Sequence, residues 1–328
     1  MTSTIKTHRL SHQLRDRRNW LAYAAVMLAM AVIPPLAGDF GLYLGCVIIC
    51  YSIAAIGLQV MVGVAGQLSL GHAAFMGIGA YATVLLQIRL GFHFLPAAAA
   101  GIALTVLFGL LMAQLIRLSG IYFKIATFGF GVIVYQALAN WSSLTGGHTG
   151  LTGIPQIELF GMAVETRRQL FMVLLAVFAV AYALAVRMVQ GRAGRAFAAI
   201  GQNEAAAASL GVNVSGYKVG VIVIGCGFAG LGGLFIPQLN GFVNPDNFTW
   251  IESLLLLIMI SVGGLGSLAG AVMGAALLVV VPEYLRTFAE YKMLIFGMIL
   301  IVSLTLMPKG LAGVATLALN KRAEGRRQ

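Results

Sequence analysis

The sequence predicts an all-α polytopic membrane protein with about ten (8–10) transmembrane helices, both termini inside, and a short helix in the water beside the bilayer. Three observations carry that prediction. Of the 328 residues, 60% are hydrophobic and 9% charged, with a mean hydropathy of +0.94; soluble domains carry about 25% charged residues. The apolar residues fall in runs that match the ~30 Å hydrocarbon core of a bilayer. These runs are continuous rather than alternating, which rejects a closed β-barrel and leaves helices to satisfy the backbone in lipid.

Residues 1–19 form a basic tail with Lys6, Arg9, Arg15, Arg17 and Arg18. The apolar run from Trp20 to Leu36 is a first span closed by Pro34-Pro35, or a signal peptide with Ala37 and Gly38 near its cleavage point. The long basic tail and the spans that follow favour the first span. Further spans fall at about 42–62, 73–89, 96–116, 121–140, 169–188, 219–239, 251–262, 268–281 and 292–308. The spanning domain is therefore 20–308, with long loops at 141–168 and 191–216, and a second basic tail occupies 309–328.

Charge sets the orientation. With the N-terminus inside, the tails, the turn with Arg117 and Lys124 and the Arg187–Lys218 loop hold 16 of the 21 Lys and Arg. Arg89, Arg167, Arg168, Arg286 and Lys292 fall on the other side. Basic residues next to spans mark the cytoplasmic face. The expectation is N-in and C-in, loop 191–216 cytoplasmic and loop 141–168 external. Losing one short span, such as 251–262, would leave an odd count, so the parity rests on this bias. The formal net charge of +11 invites a nucleic-acid partner. The tails lack aromatic platforms among their basic residues, so none is expected, and lipid is the surrounding phase.

The chain offers little chemistry. Cys46 and Cys50 share one apolar helix and Cys226 lies in another, the pattern of small packing residues rather than a disulfide framework or metal site. His148 is a lone histidine in a glycine-rich loop, usually a solvated position. No catalytic constellation stands out. The dipeptide Gly-Lys is absent, and with it the phosphate-cradling loop GxxxxGK[ST]. The chain is expected to be no enzyme, to lack an ATPase site and to bind no cofactor. Acidic residues sit in loops or at span ends, with Glu252 nearest an interior. That argues against proton-coupled transport, although a sodium site of backbone carbonyls escapes the argument.

Gly225-Cys226-Gly227-Phe228-Ala229-Gly230 has the letters GxGxxG, with Asp246 beyond it, but sits inside the apolar run Val219–Leu239. A dinucleotide fingerprint needs a strand before it. Gly225, Ala229 and Gly233, four apart, form instead a small-residue face for close helix packing, and Gly266, Gly270 and Gly274 repeat the spacing.

Two glycine-rich interruptions, 63–72 and 263–267, are either broken helices along a transport path or ordinary surface turns. For the second the turn is favoured. In the first, Gly66, Gln67, Ser69, Gly71 and His72 are the candidate path residues. The stretch 191–216 carries Arg192, Arg195, Asn203 and Glu204 around an alanine-rich centre of high helix propensity, Ala196–Leu210. It is a helix that offers a face to a soluble partner, or a solvated connection.

Three blocks, GLQVMVGVAGQLSLGHAAFMGIGAYATVLL (57–86), LTGGHTGLTGIP (144–155) and GRAFAAIGQNEAAAASLGVNVSGYKV (194–219, with Gly191 and Arg192 just before it), resemble the permeases of branched-chain amino-acid ABC importers, in particular their M-type subunit. VGGLGSLAGAVMGAALLVVVPEYLR (262–286) looks like a fourth. The resemblance implies a bacterial inner-membrane importer working by alternating access. This chain would pair with a second permease subunit, two cytoplasmic ATPases that use the ATP, and a periplasmic substrate-binding protein. The third block is similar to the coupling loop that docks on an ATPase, with Gly191, Arg195, Glu204, Ala205, Ala206 and Gly211 matching the pattern. Gly201 and Gln202 depart from it. Because a mid-helix glycine costs roughly 1 kcal/mol, the coupling helix is expected to start at about Asn203, as N-cap. His148-Thr149 also departs, which leaves urea, amides or another small solute as a second class of cargo. A self-sufficient transporter or channel, or a membrane scaffold without a path, would also be built from long apolar spans.

Overall fold

The computed structural model describes residues 22–32, 34–36, 38–117, 120–159, 161–284, 297 and 310–311. Helix α1, Ala22–Leu36, is short and apolar. Then come α2 (Gly38–Leu58), α3 (His72–Leu90), α4 (Phe94–Ala113), α5 (Ile121–Asn140), the single turn α6 (Ser142–Thr145) and α7 (Arg167–Gln190). The chain continues through α8 (Arg192–Gln202), α9 (Glu204–Ser209), α10 (Val214–Gly233), α11 (Ile236–Asn240), α12 (Trp250–Gly263) and α13 (Leu268–Tyr284). Strands β1 (Leu151–Thr152) and β4 (Phe242–Val243) pair antiparallel, as do β2 (Glu158–Leu159) and β3 (Met162–Ala163).

Among the described residues, six helical segments are long and apolar enough to cross a membrane: Gly38–Val64, His72–Leu90, Phe94–Ile116, Ile121–Asn140, Arg167–Gln190 and Val214–Asn240. They match six of the expected spans. The expected spans at 20–36, 251–262 and 268–281 are shorter apolar helices. The expected span at 292–308 and the basic tails 1–19 and 309–328 lie outside the described residues, save Gly297, Gly310 and Leu311.

The core is built on α2 and α10, which pack on each other, while α3 and α4 pack on each other and on α10. Cys46, Ile49, Cys50, Ile53, Ala54, Ile56 and Leu58 of α2 are fully buried. Glycine makes these contacts possible. A Cβ at Gly232 would stand 2.5 Å from the Cys50 carbonyl oxygen, and one at Gly230 2.6 Å from Thr105 Oγ1. Gly225 meets Gly57 of α2, whereas Gly233 meets Met76 of α3. Residues four apart turn about 40° per step around a helix, so this face sweeps from one neighbour to the next. Gly270 and Gly274 press α13 onto Gly263 and Met259 of α12. Gly266 differs from the expectation: it lies before α13 in a turn with φ +85°, so the four-residue spacing had run past the helix start.

The bundle has two distinct ends. At one, the C-terminus of α7 and the start of α10 meet α8, and α9 packs on α8 and α10; at the other, β1–β4 and the ends of α3 and α5 meet. Cys46, Cys50 and Cys226 are free thiols buried in helix packing.

Candidate functional site

At the first end, α8 is amphipathic by sequence: Gly194, Phe197 and Ile200 are buried, while Arg192 and Arg195 are exposed. Phe197 stands edge-on to Tyr217 of α10 at 5.9 Å, which seats α8 on the bundle. Gly191 closes α7, its N–H donating to the Arg187 carbonyl at 2.9 Å. Asn203, with extended backbone, breaks the helical run, and its Oδ1 accepts the Ala206 N–H at 3.1 Å. It is the N-cap of α9. Glu204, Ala205 and Ala206 follow it on the exposed first turn, and Gly211, φ +81°, ends the segment.

A helix does start at Asn203 with that residue as its cap, as expected, but it is not the first: α8 already runs from Arg192 to Gln202, with Gly201 in its last turn. The reason is tertiary. A Cβ at Gly201 would stand 2.6 Å from the Val64 carbonyl oxygen, so the helix tolerates glycine in order to touch the end of α2.

That end is itself unusual. α2 continues as a wider π turn, Gln59–Val64, and the chain reverses at Gly66, φ +70°, whose Cα side faces Gly201. Gln67 Nε2 donates to Glu204 Oε1 at 3.4 Å, and Glu204 pairs with Lys218 of α10. The chain then re-enters the bundle. Leu70 N–H donates to Thr127 Oγ1 at 3.1 Å, and Gly71 lies against the Thr127 carbonyl, where no side chain fits. His72 is wholly buried with Nε2 3.2 Å from the Ala54 carbonyl oxygen, so this nitrogen is the protonated donor. Ala73 N–H donates to Ser253 Oγ at 2.9 Å. Ala54 precedes Val64 by ten residues, about 15 Å of helix, so α3 starts well inside the bundle. Of the five candidate path residues, Gly66 and Gln67 lie beside α8 and α9, while Ser69, Gly71 and His72 are buried among α2, α5 and α12.

The interruption 263–267 is the turn from α12 to α13, with Leu265 exposed. Buried Gln59 holds it, donating through Nε2 to the carbonyls of Gly264 (2.9 Å) and Ser267 (3.1 Å). In this half the break that enters the bundle is a different one, 241–249. β4 pairs with β1 in register Leu151↔Val243, and a Cβ at Gly150 would overlap the Val243 carbonyl. Asn244 Nδ2 donates to the His148 carbonyl at 3.2 Å, its Oδ1 accepts the Asp246 N–H at 2.7 Å, and His148 itself is exposed. The 3₁₀ turn Pro245–Phe248 then packs between α3 and α5. Phe248 stands edge-on to Tyr81 at 6.4 Å, and Tyr135 Oη donates to Asp246 Oδ1 at 2.9 Å. From there α12 starts, and Tyr51 Oη donates to Glu252 Oε2 at 3.0 Å.

Sequence reasoning missed Tyr51, Gln59, Tyr81, Asn247 and Ser253. The cluster Asn244-Pro245-Asp246-Asn247 between two apolar runs was the available signal, a concentrated turn composition.

Residues 42–304 match the family model described as branched-chain amino acid transport system / permease component. The high-affinity branched-chain amino acid transport system permease protein LivM of Salmonella typhimurium is 36% identical over 287 residues, 80% of this chain and 67% of the relative. LivM of Escherichia coli K12 is 35% identical over 292 residues, with the same shares of each chain. The permease protein LivH of Escherichia coli K12 is 25% identical over 288 residues, 80% of this chain and 91% of LivH. No solved structure matches the chain. A helical bundle with two re-entrant breaks, matched over residues 42–304, thus belongs to the branched-chain amino acid transport system permease family.

Proposed function

We propose that the chain is a membrane-spanning permease subunit of an ATP-driven importer for branched-chain or other hydrophobic amino acids. It sits in the bacterial inner membrane with α8 and α9 in the cytoplasm. A second permease subunit completes the path, a periplasmic binding protein delivers the amino acid on the β1–β4 side, and two ATPase subunits consume the ATP. The observation that carries this reading is the seat of α8–α9 on the α2 end, through Gly201 against Val64 and Gln67 against Glu204. A partner that pushes on α9 displaces the chain reversal from which α3 enters the bundle. Two alternating arrangements of the helices then need only a shift at this joint.

The orientation is tested with Ser209→Cys and a membrane-impermeant maleimide. Ser209 is exposed and the three native cysteines are buried, so one site reports. Labelling is expected in inverted vesicles and not in intact spheroplasts. Labelling in spheroplasts overturns the cytoplasmic placement. Leucine uptake by proteoliposomes that carry the permease pair without ATPase subunits overturns the ATP-driven reading.

A further inference from the structure

The turn Pro245–Phe248 brings together polar groups whose bonding is incomplete in a specific way. Tyr81 is 2% exposed, and its hydroxyl has no hydrogen-bond partner among the described residues. The buried Nδ2 of Asn247 has none either. Both are donors. Beside them Asp246 presents a carboxylate that, among the described residues, takes one bond from a side chain, from Tyr135 Oη. Phe248, against the Tyr81 ring and Gly77, and Leu138, against Gly77, supply an apolar wall. Tyr81 precedes the end of α3 by nine residues, about 13 Å of helix, so its hydroxyl lies well inside the helical segment, while Asp246 is exposed at the edge of the cluster. Irregular backbone at such depth is tolerated where it is packed in protein or lines a path. Buried donors left unpaired cost stability, so a turn and a facing helix that each keep one are poised for an acceptor.

We propose that Tyr81 Oη, Asn247 Nδ2 and Asp246 form a subsite for the main-chain zwitterion of an α-amino acid, with its two donors buried and its carboxylate at the exposed edge. The two donors take the carboxylate, Asp246 takes the ammonium group, and the Phe248–Leu138 side takes the aliphatic side chain. The subsite opens when the 245–248 turn parts from α3. This assignment rests on the importer reading above.

The test uses the full transporter, with its binding protein and ATPase subunits, in proteoliposomes, and counts radiolabelled leucine taken up per ATP hydrolysed. Tyr81→Phe removes only the unpartnered hydroxyl. Its melting temperature is expected to stay level or rise, while leucine per ATP falls about tenfold, the loss of one hydrogen bond to a charged group. Asp246→Asn and Asn247→Leu are expected to lower the same ratio. Wild-type ratios in all three variants overturn the subsite and leave the importer reading standing. A sharply lower melting temperature in Tyr81→Phe also overturns it, since the hydroxyl would then serve the fold. Absence of leucine uptake by the wild-type transporter removes the importer reading, and the subsite with it.

Discussion

Gln67 Nε2 lies 3.4 Å from Glu204 Oε1, a bond between the reversal after α2 and the first turn of α9. Glu204 also pairs with Lys218 on α10. The reversal after α2, α9 and the start of α10 therefore share one carboxylate. Glu204 is half exposed, so this network adds little stability. Its consequence is geometric: α9 does not move without pulling on either the reversal or the start of α10.

Glu204→Arg places a cation beside Lys218 and deprives Gln67 of its acceptor. Amounts in the membrane are expected to stay at wild-type level, with a stability change under ~1 kcal/mol. Copurification of the ATPase subunits is expected to fall clearly, and the exchange Glu204→Lys with Lys218→Glu to restore it. Wild-type copurification of Glu204→Arg would contradict the proposed docking.

Gly201→Ala tests the contact with α2. Its Cβ cannot stay 2.6 Å from the Val64 carbonyl oxygen, so α8 must draw back. Leucine uptake is expected to drop severalfold at unchanged membrane abundance. Gly211→Ala is the control, because its φ of +81° carries the strain of a left-handed residue, ~1 kcal/mol, with nothing within 4 Å among the described residues. Equal uptake in the two variants would mean the α8–α2 contact is dispensable.

Glycines on α10 are expected to separate into two classes. Gly232→Ala overlaps the Cys50 carbonyl and costs about 1–3 kcal/mol through overpacking. Among the described residues Gly220 meets nothing within 4 Å, so Gly220→Ala gains up to ~1 kcal/mol from helix propensity. Thermal unfolding in detergent measures both. Similar melting temperatures would sink the close-packed account of α10.

Ser253→Ala leaves the buried Ala73 N–H without its acceptor at the interior start of α3. The expected cost is about 1–3 kcal/mol, read as a lower melting temperature. Ser253→Thr keeps the hydroxyl and is expected to recover most of it.

Much of the fold was legible because it depends on local rules. A run of some twenty apolar residues must bond its own backbone in lipid, so α2, α3, α4, α5, α7 and α10 emerge from composition alone. Asn203 as a cap is equally local, a side-chain oxygen reaching an N–H three residues ahead. The candidate site was legible only in part. Gly66, Gln67 and Glu204 were singled out separately, but nothing in their spacing says that they meet.

The sequence by itself determined a helical membrane protein, the positions of its long spans and a water-compatible α8–α9 segment, since each follows from the chemistry of neighbouring residues. Only the tertiary structure decided that α3 begins inside the bundle, that Gly201 rests on Val64, and that 241–249 rather than 263–267 enters between α3 and α5. Spans such as α2 and α10 are apolar on every side, so no stripe marks their buried face. Which faces meet is settled where backbones approach within a glycine's width.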